Sequence, residues 1–173
     1  KNIELAAKFY KLAADQGVAQ AQYQLGVCYD IGKGVEKDNG EAIRLYRLSV
    51  DQGYDPAQYQ LGVCYYIGKG IEKDKEEAIR LYRLAADRGN ASAQYQLGVC
   101  YDIAIDTVKN KEEAAKFYKL AAYQGDAPAQ YQLGVCYDIG KGVEINKAKA
   151  IKMYKLSADQ GYVPAQYQLS LSL

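Results

Sequence analysis

The sequence predicts an all-α solenoid of about five helix pairs, and three observations carry that prediction. The phrase AQYQLGVCY returns every 36 residues, beginning at Ala21, Ala57, Ala93 and Ala129, and a shortened form begins at Ala165. Apolar residues recur at helical spacing, and nowhere over a useful length with the two-residue period of a strand. Glycines and capping residues punctuate each copy at the same places.

Each copy holds two helical segments. In the first, helix A, Ala21, Leu25 and Cys28 stand at i, i+4 and i+7, and Gln22, Gly26 and Tyr29 widen the same arc. In the second, helix B, from Glu41 to Gln52, Ala42, Ile43, Leu45, Tyr46, Ser49 and Val50 share one arc while Arg44 and Arg47 point the other way. Asp38 with Glu41, Asp74 with Glu77 and Asn110 with Glu113 have the form of a capping box, in which a short polar residue and an acid satisfy free amides at a helix start. Asn146 with Lys149 keeps only the cap. Gly17, Gly53, Gly89, Gly125 and Gly161 stand where a left-handed residue closes helix B, and Pro56, Pro128 and Pro164 suit the first turn of the next helix A. Gly32 and Gly34 end helix A in the same way.

A helix pair of this length cannot bury enough apolar surface to fold alone, so the pairs must stack, each covering its neighbour's open face. Residues 1–173 are therefore expected to form a single solenoid. Gly26, Gly62, Gly98 and Gly134 lie mid-helix on the inward arc, where a missing side chain lets two helices approach. Away from any strand-to-helix turn, they do not make a phosphate-binding loop.

Composition narrows the function. A hydrophobic fraction of 49% with 25% charged residues suits a water-soluble chain with a sizeable core. Lys plus Arg number 22 against 21 for Asp plus Glu, so no long-range field steers the chain onto nucleic acid or an anionic membrane. The longest apolar run, Val63 to Ile67, falls far short of the ~18 residues that span a bilayer, so no membrane insertion is expected. The sequence contains no His, the commonest general base and metal ligand. Glu41 and Glu77 are taken up by capping. Asp15, Asp51, Asp87 and Asp159 each follow Lys11, Arg47, Arg83 or Lys155 by four residues and read as surface ion pairs. No catalytic residue, metal site or cofactor is expected. The chain starts at Lys1, inside a repeat and without a signal-like segment, and reads as a piece of a longer array.

The phrases A-x-A-Q-Y-x-L-G-x-x-Y-x-x-G-x-G-V, seen from Ala19 to Val35, and E-A-x-x-x-Y-x-x-A-A-D-x-G, from Glu77 to Gly89, resemble the Sel-one-like repeat, a relative of the tetratricopeptide repeat. The resemblance covers essentially the whole chain. It implies a right-handed α-α superhelix of antiparallel helix pairs with the A helices lining its concave side. It also implies work as an interaction scaffold or adaptor, as in signalling, protein quality control and host–microbe contact. The third copy departs from the pattern, reading Ala104-Ile105-Asp106-Thr107-Val108 where the others have a Gly-Lys-Gly turn.

Cys28, Cys64, Cys100 and Cys136 fall one per repeat, with no C-x-x-C and no His to complete a zinc site. Equivalent helices of stacked repeats lie about 8–10 Å or more apart, beyond the ~7 Å between Cα atoms that a disulfide tolerates. Four small, unpaired core residues are expected, which leans toward a reducing compartment such as the cytoplasm. The basic ladder of helix B, with Lys8 and Lys11, Arg44 and Arg47, Arg80 and Arg83, Lys116 and Lys119, and Lys152 and Lys155, reads as a solvated convex face. Acidic neighbours offset it and no aromatic residues interleave with it.

The remaining arc of helix A is half apolar. It carries Tyr23, Gln24, Val27 and Asp30 with Gln20 and Ile31, then Tyr59, Gln60, Val63 and Tyr66 with Ile67. Tyr95, Gln96, Val99 and Asp102 with Ile103, and Tyr131, Gln132, Val135 and Asp138 with Ile139, complete the series. Stacked, these make stripes suited to holding a peptide or helix, unless Tyr and Val are used up in packing between neighbouring A helices. The sequence thus points to a scaffold that binds a protein or peptide segment in its groove. A structural spacer within a longer protein and a hydrolase are the alternatives. The first helix is of type B and the last, ending Ser170-Leu171-Ser172-Leu173, is of type A, which makes head-to-tail self-association a further expectation.

Overall fold

The computed structural model describes residues 2–103 and 108–171, with the side chains of 108 and 109 excepted. Among the described residues there are ten α-helices and no strand. They fall into two compact units, Lys1–Arg88 and Gly89–Leu173. The first holds α1 (Asn2–Asp15), α2 (Ala19–Ile31), α3 (Asn39–Asp51), α4 (Asp55–Ile67) and α5 (Lys75–Asp87). The second holds α6 (Ala91–Ile103), α7 (Val108–Tyr123), α8 (Ala127–Ile139), α9 (Lys147–Asp159) and α10 (Val163–Ser170). Even-numbered helices are of type A and odd-numbered ones of type B.

Local chemistry sets the boundaries. The Asp38 carboxylate accepts from the Glu41 amide at 3.0 Å and Asp74 from the Glu77 amide at 2.9 Å, so two of the expected caps start α3 and α5. Asn146 accepts from the Lys149 amide at 2.9 Å and starts α9. In the third copy α7 is already helical at Val108, so Asn110 lies inside its first turn and not one residue before the helix, where Asp38, Asp74 and Asn146 stand. The rest of that departure, residues 104–107, lies outside the described residues. Two caps escaped the sequence reading, Asn90 to Ala93 at 2.9 Å and Asp126 to Ala129 at 2.8 Å, both starting A helices. At the other end of α2, Gly32 adopts φ 71° and returns its N–H to the Cys28 carbonyl, the left-handed ending that a β-carbon would strain.

Packing within a repeat centres on one contact. A β-carbon added to Gly26 would stand 2.7 Å from the Tyr46 ring, and at Gly62, Gly98 and Gly134 the same test gives 2.8, 2.6 and 2.6 Å to Tyr82, Tyr118 and Tyr154. These four tyrosines are at most 2% exposed. The glycine is therefore the socket for the B-helix ring, as its place on the inward arc suggests. Around it gather Ala42, Ile43, Leu61, Cys64 and Leu81 in the first unit, and Ala114, Ala115, Leu133, Cys136 and Met153 in the second. Cys28, Cys64 and Cys136 are buried, while Cys100 is only partly so.

A chain of amides ties A to B. Gln52 donates its side-chain amide to Gln22 Oε1 at 2.7 Å, Gln124 to Gln94 at 2.7 Å and Gln160 to Gln130 at 2.8 Å. The acceptors in turn reach the preceding B helix, Gln22 donating to the Ala14 carbonyl and Gln130 to that of Ala122. All three acceptors are buried.

The outer face of the B helices is solvated, but its ion pairs differ from those expected. Lys11 with Asp15, Arg47 with Asp51 and Lys155 with Asp159 form none. Placing the base before the acid runs against the helix dipole and is the weaker order. Instead Glu41 takes Arg44 at 2.6 Å, Glu77 takes Arg80 at 2.6 Å and Glu113 takes Lys116 at 3.4 Å, each one turn on, and Arg47 donates to the Tyr65 hydroxyl.

Candidate binding surface

The face of the A helices singled out by the sequence divides into groups with different employment. Tyr23, Tyr59, Tyr95 and Tyr131 are half-buried. Tyr23 packs its ring 6.0 Å from Tyr46 and 5.5 Å from Tyr54, which opens the next A helix. Tyr131 does the same with Tyr154 at 5.7 Å and Tyr162 at 5.6 Å, and Tyr59 and Tyr95 pack on Tyr82 and Tyr118. Burial raises the Tyr23 phenol, with the neighbouring Tyr54 and Tyr59 adding to the shift, and so keeps it neutral. Val27, Val99 and Val135 rest against the core clusters, and Val63 is half-buried. Much of each Tyr and Val is therefore committed to packing.

The acids are committed as well. Asp30 is buried and pairs with Lys69, one repeat further on, at 2.5 Å. Asp102 pairs with Lys141 and accepts from the Tyr118 hydroxyl at 3.4 Å. Asp138 takes Lys147 at 2.6 Å. At the equivalent place Tyr66 lies 6.4 Å from Tyr82, ring to ring. Periodicity placed these acids on the open face, but their charges are answered within the chain.

The glutamines are the exception. Gln24, Gln60, Gln96 and Gln132 are half-buried, and among the described residues their side-chain amides have no hydrogen-bond partner. Each therefore presents one carbonyl and one NH2 group toward solvent. Beside them, Ile31, Ile67, Ile103 and Ile139 are 57–63% exposed at the C-terminal end of each A helix. These isoleucines share the arc in the sequence but were left out of the expected binding set. In the first unit, Gln24, Val27 and Ile31 line a depression completed by Ile3, Ala6 and Tyr10 of α1. An unbonded amide next to an exposed aliphatic group can pair with a peptide backbone and cover an apolar side chain together.

Among the described residues, no three His, Cys, Asp or Glu side chains gather as a metal ion would require, and no helix is long and apolar enough to cross a membrane.

Stacked helix pairs with a glycine socket in four copies and a glutamine tie in three of them define a helical-repeat protein of the solenoid class. The Sel1 repeat matches residues 1–18, 19–54, 55–90, 91–126 and 127–162, and the chain belongs to the Sel1 repeat family. Proteins of this family are generally protein-interaction scaffolds. A protective antigen of uropathogenic Escherichia coli displaying an SLR fold is 35% identical, with a TM-score of 0.86 over 94% of this chain and 35% of its own. A Sel1 repeat protein from Oxalobacter formigenes is 34% identical, with a TM-score of 0.85 over 94% of this chain and 64% of its own. An immunity protein from Pseudomonas aeruginosa is 31% identical, with a TM-score of 0.62 over 92% of this chain and 59% of its own. In the rat protein DAP3-binding cell death enhancer 1, 39 residues match at 44% identity, covering 22% of this chain and 8% of that protein.

Proposed function

We propose that this chain is a protein-interaction scaffold that holds an extended or helical protein segment on its A helices, through the Gln24, Gln60, Gln96 and Gln132 amides and the adjoining isoleucines. One contrast carries the reading. Two positions earlier the chain buries Gln22, Gln94 and Gln130 in hydrogen bonds, whereas among the described residues the four outer glutamines make no side-chain hydrogen bond. The name of the Pseudomonas aeruginosa immunity protein, a structural relative, accords with a role exercised by binding another protein. The tyrosines and valines of the same face shape the surface from beneath. Asp30 and Asp102 hold successive repeats together, and Asp138 ties the two helices of its own repeat.

The test is affinity capture from cell extract with three immobilised chains. One is the wild type, one carries alanine at Gln24, Gln60, Gln96 and Gln132, and one carries glutamine at Arg44, Arg47, Arg80 and Arg83. Proteins retained by the wild type should be lost from the alanine chain and kept by the arginine variant. The reverse pattern would move the binding face to the B helices. Equal retention by all three, or none, would favour a spacer.

A further inference from the structure

Four of the A helices repeat one pairing of groups. Gln24 and Ile31 stand seven residues apart, which places them on one side of α2 and about 10 Å from each other along its axis. Gln60 with Ile67, Gln96 with Ile103 and Gln132 with Ile139 keep the same interval. In each unit two such helices are neighbours. Tyr23 and Val27 of α2 pack on the cluster that holds Leu61 and Cys64 of α4, and Tyr95 and Val99 of α6 pack on the cluster that holds Leu133 and Cys136 of α8. The charges of these helices are answered within the chain. No A helix contains a Lys or Arg, and their acids, Asp30, Asp55, Asp102 and Asp138, pair with Lys69, Arg88, Lys141 and Lys147.

We infer that the segment held on this face is an extended, uncharged peptide bound through its backbone, an inference that rests on the proposed function and narrows it. In a helical partner the backbone N–H and C=O groups are already bonded to one another, so a glutamine amide would meet only side chains. In an extended chain both groups of one residue point to the same edge, and those of the next residue point to the opposite edge. The Gln24 carbonyl can then accept from such an N–H while its NH2 donates to the C=O of the same residue, and Gln60 can do the same further along the segment. Backbone pairing of this kind is blind to sequence, so selection falls to the side chains. An aliphatic side chain covers exposed Ile31 or Ile67 and removes apolar surface from water. A charged side chain finds no free counter-charge on any A helix and loses hydration against the isoleucines and the half-buried valines.

The experiment selects from a library of random linear peptides on the immobilised wild-type chain and measures the affinity of each recovered peptide by calorimetry. Recovered sequences should be rich in Val, Ile and Thr and poor in charged residues. N-methylation at alternate residues removes the N–H donors from one edge of an extended chain. It should weaken binding about tenfold or more for one set of positions and leave it unchanged for the other set. Alanine at Gln24, Gln60, Gln96 and Gln132, in a chain whose circular dichroism is kept, should weaken binding as well. Peptides that are lost with the alanine chain but are charged, or that respond to both methylated sets or to neither, would overturn the inference and leave the binding face in place. Peptides kept by the alanine chain would remove the face itself, and the inference with it. An empty selection would also overturn the inference, and capture from cell extract would still decide the proposed function.

Discussion

Gln52 donates its side-chain amide to Oε1 of Gln22 across 2.7 Å, tying the end of a B helix to the start of the A helix in its own repeat. At the place equivalent to Gln52, the second repeat has Arg88, which turns away to the Gly53 carbonyl and the Asp55 carboxylate. Gln58 Oε1 is left buried without a partner. Arg88 and Asp55 are both well exposed, so their ion pair contributes little. Replacing Arg88 by Gln should therefore restore the tie and stabilise the chain by about 1 kcal/mol, the net worth of a hydrogen bond to a buried acceptor. Chemical denaturation of both proteins checks this, and a lower midpoint for R88Q would sink it.

Asp30 and Lys69 make the corresponding tie between repeats. Asp30 is buried against Tyr46 and Cys64, so removing Lys69 leaves a carboxylate without its counter-charge, while removing the charge of Asp30 leaves only a solvated lysine. Lys69→Met should cost on the order of 3 kcal/mol. Asp30→Asn should cost about 1 kcal/mol. The double change to Asp30→Leu and Lys69→Met should recover most of the loss. If Lys69→Met were silent, Asp30 would be free to serve a ligand, as its sequence position suggested.

Burial pushes the Cys64 and Cys136 thiols up to about 11 and raises the phenols of Tyr46, Tyr118 and Tyr154. In each group the neutral, protonated form is the one the fold accommodates. The native state holds these protons more tightly than the unfolded chain does, so the thiol contribution is complete below the unfolded value of about 9 and disappears as pH rises through 11, while that of the phenols is lost at higher pH still. The denaturation midpoint should stay level from pH 7 to about 9 and fall steeply toward pH 11. A midpoint unchanged at pH 11 would show that these groups ionise without opening the core.

The parts of the fold that were legible in the sequence are those set by near neighbours. Asp38 with Glu41 and Gly32 after Ile31 act within a turn or two, so spacing alone reveals them, and the glycine sockets follow from one residue repeated on one arc. The parts that were not legible depend on contacts one repeat away. An arc shows that Tyr23 and Asp30 point away from the partner helix, but not that Tyr54 and Lys69 come down to meet them. A signal for the acids did exist, since Lys69 follows Asp30 and Lys141 follows Asp102 at the same interval of 39 residues. For Gln24 and Gln22, which are only two positions apart, the arc separated the outward from the inward side chain correctly. It did not reveal that the inward one is held by Gln52.

That separation yields the sharpest stability test of the binding surface, because the same substitution can be made on both sides of one helix. In α8, half-buried Gln132 has no side-chain hydrogen bond among the described residues, while Gln130 donates to the Ala122 carbonyl at 3.2 Å and accepts from Gln160 at 2.8 Å. Gln132→Glu should leave the denaturation midpoint unchanged, since its new charge is met by water and breaks no bond. Gln130→Glu removes the donor to Ala122 and asks a buried site to hold a carboxylate, which should cost on the order of 3 kcal/mol. In α4, Gln60→Glu should behave as Gln132→Glu does. Should Gln60→Glu or Gln132→Glu destabilise as much as Gln130→Glu, the outer glutamines would be structural and would lose their claim to a partner. If they are silent in stability yet abolish capture of a protein retained by the wild type, these amides are groups kept for a ligand.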